Sequence, residues 1–298
     1  MKLLVAWTLS LCVAAPLLSA GAARKLAFER SGAVWVANFD GTNAKKIAAG
    51  VRPDLSPDGT RLAFNTESAE GKPFERRIAV TELATGRVSI FGSLPSNNAF
   101  GPKWSPDGKK LLFEIMDSEN WQLGVANADG SEFHYLKIPG VTVGLFNPGC
   151  WAPDGRSVYT QDLTSVYQIG LDGVVLKKWE VSKIIAGGDM SSESSLAVSP
   201  DGATLLLEAE MGDEDPGRKN WDGPPPAIWS FNLATGVAAR MTPPKFFAWQ
   251  PRWTGPGEFV FVSQAENERQ PSIYVAPIAN LKARKLLVKN ANMPSVSR

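Results

Sequence analysis

The amino-acid sequence predicts an all-β fold, a six-bladed β-propeller of four-stranded antiparallel blades closed by a C-terminal strand that pairs with the N-terminal blade. Three observations predict it. A Ser-Pro-Asp-Gly turn recurs at a near-constant interval, a compact apolar run follows each copy, and the two ends of the chain hold complementary parts of one further repeat.

The turn stands whole at 56–59, 105–108 and 199–202, is nearly whole at 152–155, and degenerates to Thr-Gly-Pro-Gly at 254–257; successive copies start 49, 47, 47 and 55 residues apart. Proline presets φ for the second position of a turn, aspartate bonds its own backbone, and glycine accepts positive φ, so each copy is a hairpin corner. Before it comes a first strand of the form Pro-x-Trp or Pro-x-Leu, as at Pro53-Asp54-Leu55, Pro102-Lys103-Trp104 and Pro251-Arg252-Trp253. After it comes the second strand, 62–64, 111–113, 158–159, 205–207 and 259–261.

Third apolar runs follow at 78–83, 123–126, 166–171, 228–233 and 273–278, with a sixth at 34–37 near the front of the chain. Most end in an Asp-Gly or Thr-Gly turn signal before a fourth run such as 88–91, 174–176 or 285–288. The front of the chain supplies second, third and fourth strands at 25–29, 34–37 and 45–48, with no first strand ahead of them. Residues 293–297 align with 101–105 and supply it. A shared blade closes the ring and removes the exposed edges of an open sheet. Trp104, Trp151 and Trp253 recur at one position of the first strand and are expected to pack between blades.

Residues 1–22 combine Lys2, an apolar stretch and a small-residue end at Ser19-Ala20-Gly21-Ala22, the pattern of an export signal. Residues 23–298 then form a single propeller domain, periplasmic or secreted, with no membrane span after cleavage. The chain has 31 Lys and Arg against 30 Asp and Glu, and loss of Lys2 with the signal makes these equal. That balance argues against nucleic acid or an anionic membrane as a partner. Cys150 is the one cysteine beyond the signal, so no intramolecular disulfide is available.

The string Pro-x-Trp-Ser-Pro-Asp-Gly, followed by Lys-Lys-Leu-Leu-Phe-Glu and Leu-Gly-Val-Ala-Asn-Ala-Asp-Gly within 102–130, resembles the WD-like repeat of TolB-type propellers. The likeness extends over about 24–298. It implies a six-bladed ring in the periplasm that engages protein partners of the outer envelope through one mouth, the peptidoglycan-associated lipoprotein among them. The chain departs from that family in lacking its separate N-terminal domain. The repeat also resembles propeller lyases that act on uronic-acid oligosaccharides with histidine clusters and a metal.

Propeller function sits on loops at one mouth, held by a rigid scaffold. Loops leading into the first strands share a face with those between second and third strands. They offer Arg52, Asn98, Phe100, Phe146, Asn147, Ser192, Phe247 and Trp249 for contact with an envelope protein or peptide, or a glycan. The irregular stretch 208–227 adds Asp215 and Trp221. It carries an acidic excess and the prolines 224–226, and is suited to dock on a partner, to close over the mouth, or to stand as a solvated excursion. Its acidic run lacks the ligand spacing of a calcium loop, and no metal or other cofactor is expected.

His134 is the single histidine and falls in a fourth-strand run, away from the channel. A Ser-His-Asp relay or a His-rich metal site is therefore unavailable, and no Gly-x-Ser-x-Gly elbow occurs. A monomeric binding propeller is the expectation. The alternative is a glycosidase or lyase that pairs carboxylates at the mouth.

Overall fold

The computed structural model describes residues 23–118, 120–141, 144, 146–218 and 221–298. The expected export signal, 1–22, lies outside them. Six four-stranded antiparallel sheets follow one another around an axis. Blade 1 comprises Val51–Leu55, Arg61–Glu67, Arg76–Glu82 and Val88–Ile90; blade 2, Ala99–Trp104, Lys110–Met116, Trp121–Asn127 and His134–Leu136. Blade 3 comprises Phe146–Trp151, Ser157–Gln161, Ser165–Gly170 and Val175–Glu180, and blade 4 Leu196–Val198, Thr204–Glu210, Pro226–Asn232 and Ala238–Arg240. Blade 5 comprises Ala248–Gly255, Glu258–Ser263, Ser272–Pro277 and Lys285–Val288. A four-residue helix, Val181–Ile184, leaves blade 3 and was not expected from the sequence; its Val181 and Ile184 side chains are buried.

Blade 6 is built from both ends of the chain. Asn292–Val296 is its inner strand and pairs antiparallel with Lys25–Arg30, which is followed by Ala33–Asn38 and Lys45–Ala49. Leu26 stands opposite Val296 and Ala27 opposite Ser295. Past the strand, Ser297 donates its backbone N–H to Lys25 and accepts the Lys25 N–H on its Oγ at 2.8 Å. The expected closure by a shared blade is therefore observed.

The core is divided among the blade boundaries. Second strands are apolar on both faces because both are covered: Leu62 and Phe64 pack against blade 6, while Ala63 between them packs against blade 2. Leu111 and Phe113 face blade 1 and Leu112 faces blade 3, following the period of two that a strand imposes. A buried apolar cluster fills each of the six boundaries among the described residues, including those on either side of the shared blade.

The turns have the geometry their residues dictate. Ser56 accepts the Gly59 N–H on its carbonyl, its hydroxyl donates to Asp58 Oδ1, and Gly59 takes φ +65°. Trp104, Trp151 and Trp253 fall between blades as expected. Each donates its indole N–H, at 3.0 Å, to the carbonyl of Asp54, Lys103 or Ala197 in the preceding blade.

Candidate functional site

The inner strands wall the channel, and four of them carry the same bulge. A residue in left-handed conformation followed by proline opposes a single residue of the second strand: Arg52 (φ +53°), Gly101 (+67°), Gln250 (+52°) and Met293 (+51°). A bulge turns a backbone N–H out of the ladder, and the proline that follows has none to turn. The freed N–H is received by a side chain of the neighbouring blade. Arg52 donates to Glu29 Oε2 at 3.2 Å, Gly101 to Asn65 Oδ1 at 2.8 Å, and Gln250 to Glu208 Oε2 at 3.0 Å.

Glu29, Asn65, Glu114, Gln161 and Glu208 hold equivalent positions near the loop-bearing end of their second strands. Blade 5 has Val262 there, and Gln250 takes over, accepting the Met293 N–H on Oε1 at 2.8 Å. Burial pushes Glu208 up to about 7 against the lowering effect of its hydrogen bonds from Gln250 and Ser195. Glu29 is raised in the same way, also by burial. Glu29 and Glu208 are therefore engaged in joining blades, blade 6 to blade 1 and blade 4 to blade 5.

The loop-bearing mouth gathers a guanidinium–aromatic cluster. Arg52 and Arg76 lie over Phe100 with Cζ 4.3 and 4.1 Å from the ring centroid, and Arg76 also approaches Phe74 and Trp121. Asn98 accepts the Arg76 Nε–H at 2.9 Å, and Arg52 pairs with Glu193. Phe74, in the loop between the second and third strands of blade 1, is 61% exposed. The sequence had pointed to Arg52, Asn98 and Phe100; it missed Phe74, in the loop before the third strand of blade 1, and Arg76 and Trp121, the first residues of the third strands of blades 1 and 2.

The remaining candidates divide. Phe247 is 1% exposed, sealed by Trp221 (ring centroids 4.8 Å apart) and by Arg218, whose guanidinium lies 3.7 Å from its centroid. Its part is therefore to anchor the long loop, a correction to the expectation that it contacts a ligand. Trp221 also packs against Trp249, with ring centroids 5.9 Å apart and planes tilted by 52°, both half-buried. Arg218 donates to the Gln264 carbonyl at 2.7 Å, Glu214 pairs with Arg240, and exposed Asp215 accepts the Gly217 N–H. The described part of 208–227 is thus pinned onto blades 4 and 5. Ser192 is exposed beside Glu193. Phe146 and Asn147 begin the inner strand of blade 3; their side chains lie outside the described residues.

A cavity of about 380 Å³ occupies the opposite end of the channel, where Pro57, Pro106, Pro200 and Pro256 of the turns line it. Its wall takes the x residue of each Pro-x-Trp segment and its equivalents: Asp54, Lys103, Cys150, Ala197, Arg252 and Ser295. Burial, and then the charge of Arg252, bring Lys103 down to about 7. Burial pushes the Cys150 thiol up to about 11, which leaves it protonated and poorly nucleophilic at neutral pH. Among the described residues, no group of three His, Cys, Asp or Glu is placed to hold a metal ion, and no helix is long and apolar enough to cross a membrane. His134 lies exposed on the outer strand of blade 2.

No protein-family model matches the chain. TolB from Acinetobacter baumannii superposes over 93% of this chain and 67% of its own, with TM-score 0.68 and 16% identity. The chain shares the TolB-type propeller fold. A chain of the nidogen–laminin complex aligns over 92% of this one and 98% of its own, at TM-score 0.65 and 11% identity. In sequence, 114 residues are 33% identical to the uncharacterized peptidase YuxL of Bacillus subtilis, a match that takes in 36% of this chain and 16% of that protein.

Proposed function

We propose that the chain is an exported TolB-like propeller, periplasmic or secreted, that binds an envelope protein or peptide at its loop-bearing mouth. The observation that carries this reading is the pair of guanidiniums, Arg52 and Arg76, over Phe100 beside exposed Phe74. Arginine and aromatic side chains concentrate binding energy in protein interfaces, where a rigid platform spares the cost of ordering them. The fold supports the reading through TolB, and the nidogen–laminin complex supports it as a similar ring solved with a protein partner. Export rests on the pattern of residues 1–22.

The test is a photo-crosslinking amino acid placed at Phe74 in the full chain and irradiated in intact cells. Discrete protein adducts that disappear when Arg76→Ala is added are the expected result. The same probe at Val237, 65% exposed in the turn before the outer strand of blade 4, reports background. No adduct at Phe74, adducts identical to those from Val237, or adducts to glycan alone would overturn the reading.

A further inference from the structure

The cavity at the turn-bearing end is chemically unlike the mouth. Of the six wall positions, one from each blade, two are cationic and one is anionic. The anionic group is already engaged: Asp54 Oδ2 accepts the Trp104 N–H at 2.8 Å and Oδ1 accepts the Ser295 hydroxyl at 3.0 Å, with Lys103 Nζ at 3.8 Å. Arg252 is differently placed. Its Nη1 donates to the carbonyls of Pro251 at 2.9 Å and Leu196 at 3.5 Å, while no carboxylate lies within ion-pair distance of it among the described residues.

Two cations drawn out of water in one cavity repel each other and forfeit hydration unless a counter-charge meets them. A guanidinium with free N–H groups presents a planar fork that matches an oxyanion bidentately, and an ammonium nearby adds a second point of attachment. The four prolines at the outer end supply an apolar collar. A volume of about 380 Å³ is within the range of small-molecule sites and far too small for a folded partner.

We propose that the turn-bearing end of the channel is a binding site for a small organic oxyanion, a di- or tricarboxylate held between Lys103 and Arg252 with its carbon body against the prolines. The site is independent of the loop-bearing mouth and does not rest on the protein-binding reading. Its affinity is linked to protons. Lys103 faces Asp54, Arg252, Arg52 and Cys150, and Arg252 in turn faces Glu208; the balance of these leaves Lys103 titrating near 7. An anion favours the charged amine, so binding takes up a proton near neutral pH and weakens as pH rises.

Calorimetric titration of the full mature chain with citrate, succinate and inorganic phosphate at about pH 6 and about pH 8.5 tests this, with buffers of different ionisation enthalpy to count protons. Saturable one-to-one binding of citrate is expected, tighter than phosphate, with proton uptake and a loss of about tenfold at the higher pH. Arg252→Gln is expected to weaken citrate binding by about tenfold or more, and Lys103→Met to weaken it and abolish the proton uptake. Lys285→Gln, an exposed charge on the outer strand of blade 5, is expected to leave it unchanged. Absence of saturable citrate binding at the lower pH, equal affinity in Arg252→Gln, or binding without proton uptake at the higher pH would overturn the proposal. Phosphate binding more tightly than citrate would overturn the assignment to an organic anion. The pH and proton measurements use the unaltered protein and hold even where a variant does not fold.

Discussion

Glu208 reaches across the boundary between blades 4 and 5 to accept the backbone N–H of Gln250 at 3.0 Å, and the same oxygen accepts the Ser195 hydroxyl at 3.0 Å. Gln250 occupies the bulge of its strand in left-handed conformation, which costs an L-residue about 1–2 kcal/mol, so its freed N–H must be well received. Gln250 then passes the arrangement on, accepting the Met293 N–H with its own side chain. Polar contacts thus join blades 4, 5 and 6 in series.

Replacing Glu208 by Ala leaves the Gln250 donor buried without its acceptor and should cost about 1–3 kcal/mol. Glu208→Gln keeps an acceptor and should cost less. Urea unfolding midpoints of the two variants give the comparison, and equal midpoints for Ala and the unaltered protein would show the contact to be idle.

The same residue sets a pH dependence. Glu208 titrates near 7 in the folded chain against 4.5 for an ordinary glutamate, so it holds its proton more tightly when folded. Its stabilising contribution is complete below the ordinary value and is lost as pH rises through about 7. Lys103, lowered from 10.5 to about 7, acts oppositely: the folded state prefers the neutral amine, and stability from this group rises with pH between those values. Stability measured against pH should fall less from acid to neutral in Glu208→Gln and rise less from neutral to alkaline in Lys103→Met. A profile unchanged in both variants would contradict the burial of these groups.

The tryptophans of the inner strands separate packing from hydrogen bonding. Trp151→Ala should cost about 3–5 kcal/mol. Trp151→Phe retains most of the apolar contact but leaves the Lys103 carbonyl without the indole donor, a loss of about 1 kcal/mol. Denaturant unfolding of both variants tests the ordering, which reverses only if the indole bond outweighs the ring.

Gly149, at the start of the blade 3 wall, takes φ +72°, and a Cβ there would stand 1.7 Å from the carbonyl oxygen of Tyr159 on the paired strand. Gly149→Ala is therefore expected to abolish soluble folded protein, measured as the yield of monomer on expression. Gly32→Ala, also at positive φ but with no atom within 4 Å, should remain soluble.

The ring was legible because its instructions repeat: a Pro-Asp-Gly corner and a doubly apolar second strand recur in copy after copy, and the split blade is written at both ends. What escaped notice was what varies within the repeat. The clasp position lies nine residues after the first residue of the turn motif at Asn65, Glu114, Gln161 and Glu208, always polar inside an otherwise apolar run. Different residue types hid the regularity. The x of Pro-x-Trp changes from Asp54 to Lys103 to Arg252 while its flanks stay constant, so no recurring residue marked it, and that variation is where the channel acquires its charge. The Val181–Ile184 helix had no local signal; its formation depends on burying two side chains against blade 4. Phe247 looked exposed because it adjoins Lys245 and Phe246 in a loop, whereas the distant Arg218 and Trp221 cover it.

Both ends of the channel depend on the ring being closed by Asn292–Val296 on Lys25–Arg30. The direct measurement is size-exclusion chromatography with thermal melting of the mature chain lacking residues 290–298. A closed ring predicts that this protein unfolds or self-associates, because blade 6 loses its inner strand and blade 1 its contact with Ser295. A truncated chain that stays monomeric and melts at the temperature of the intact protein would contradict it.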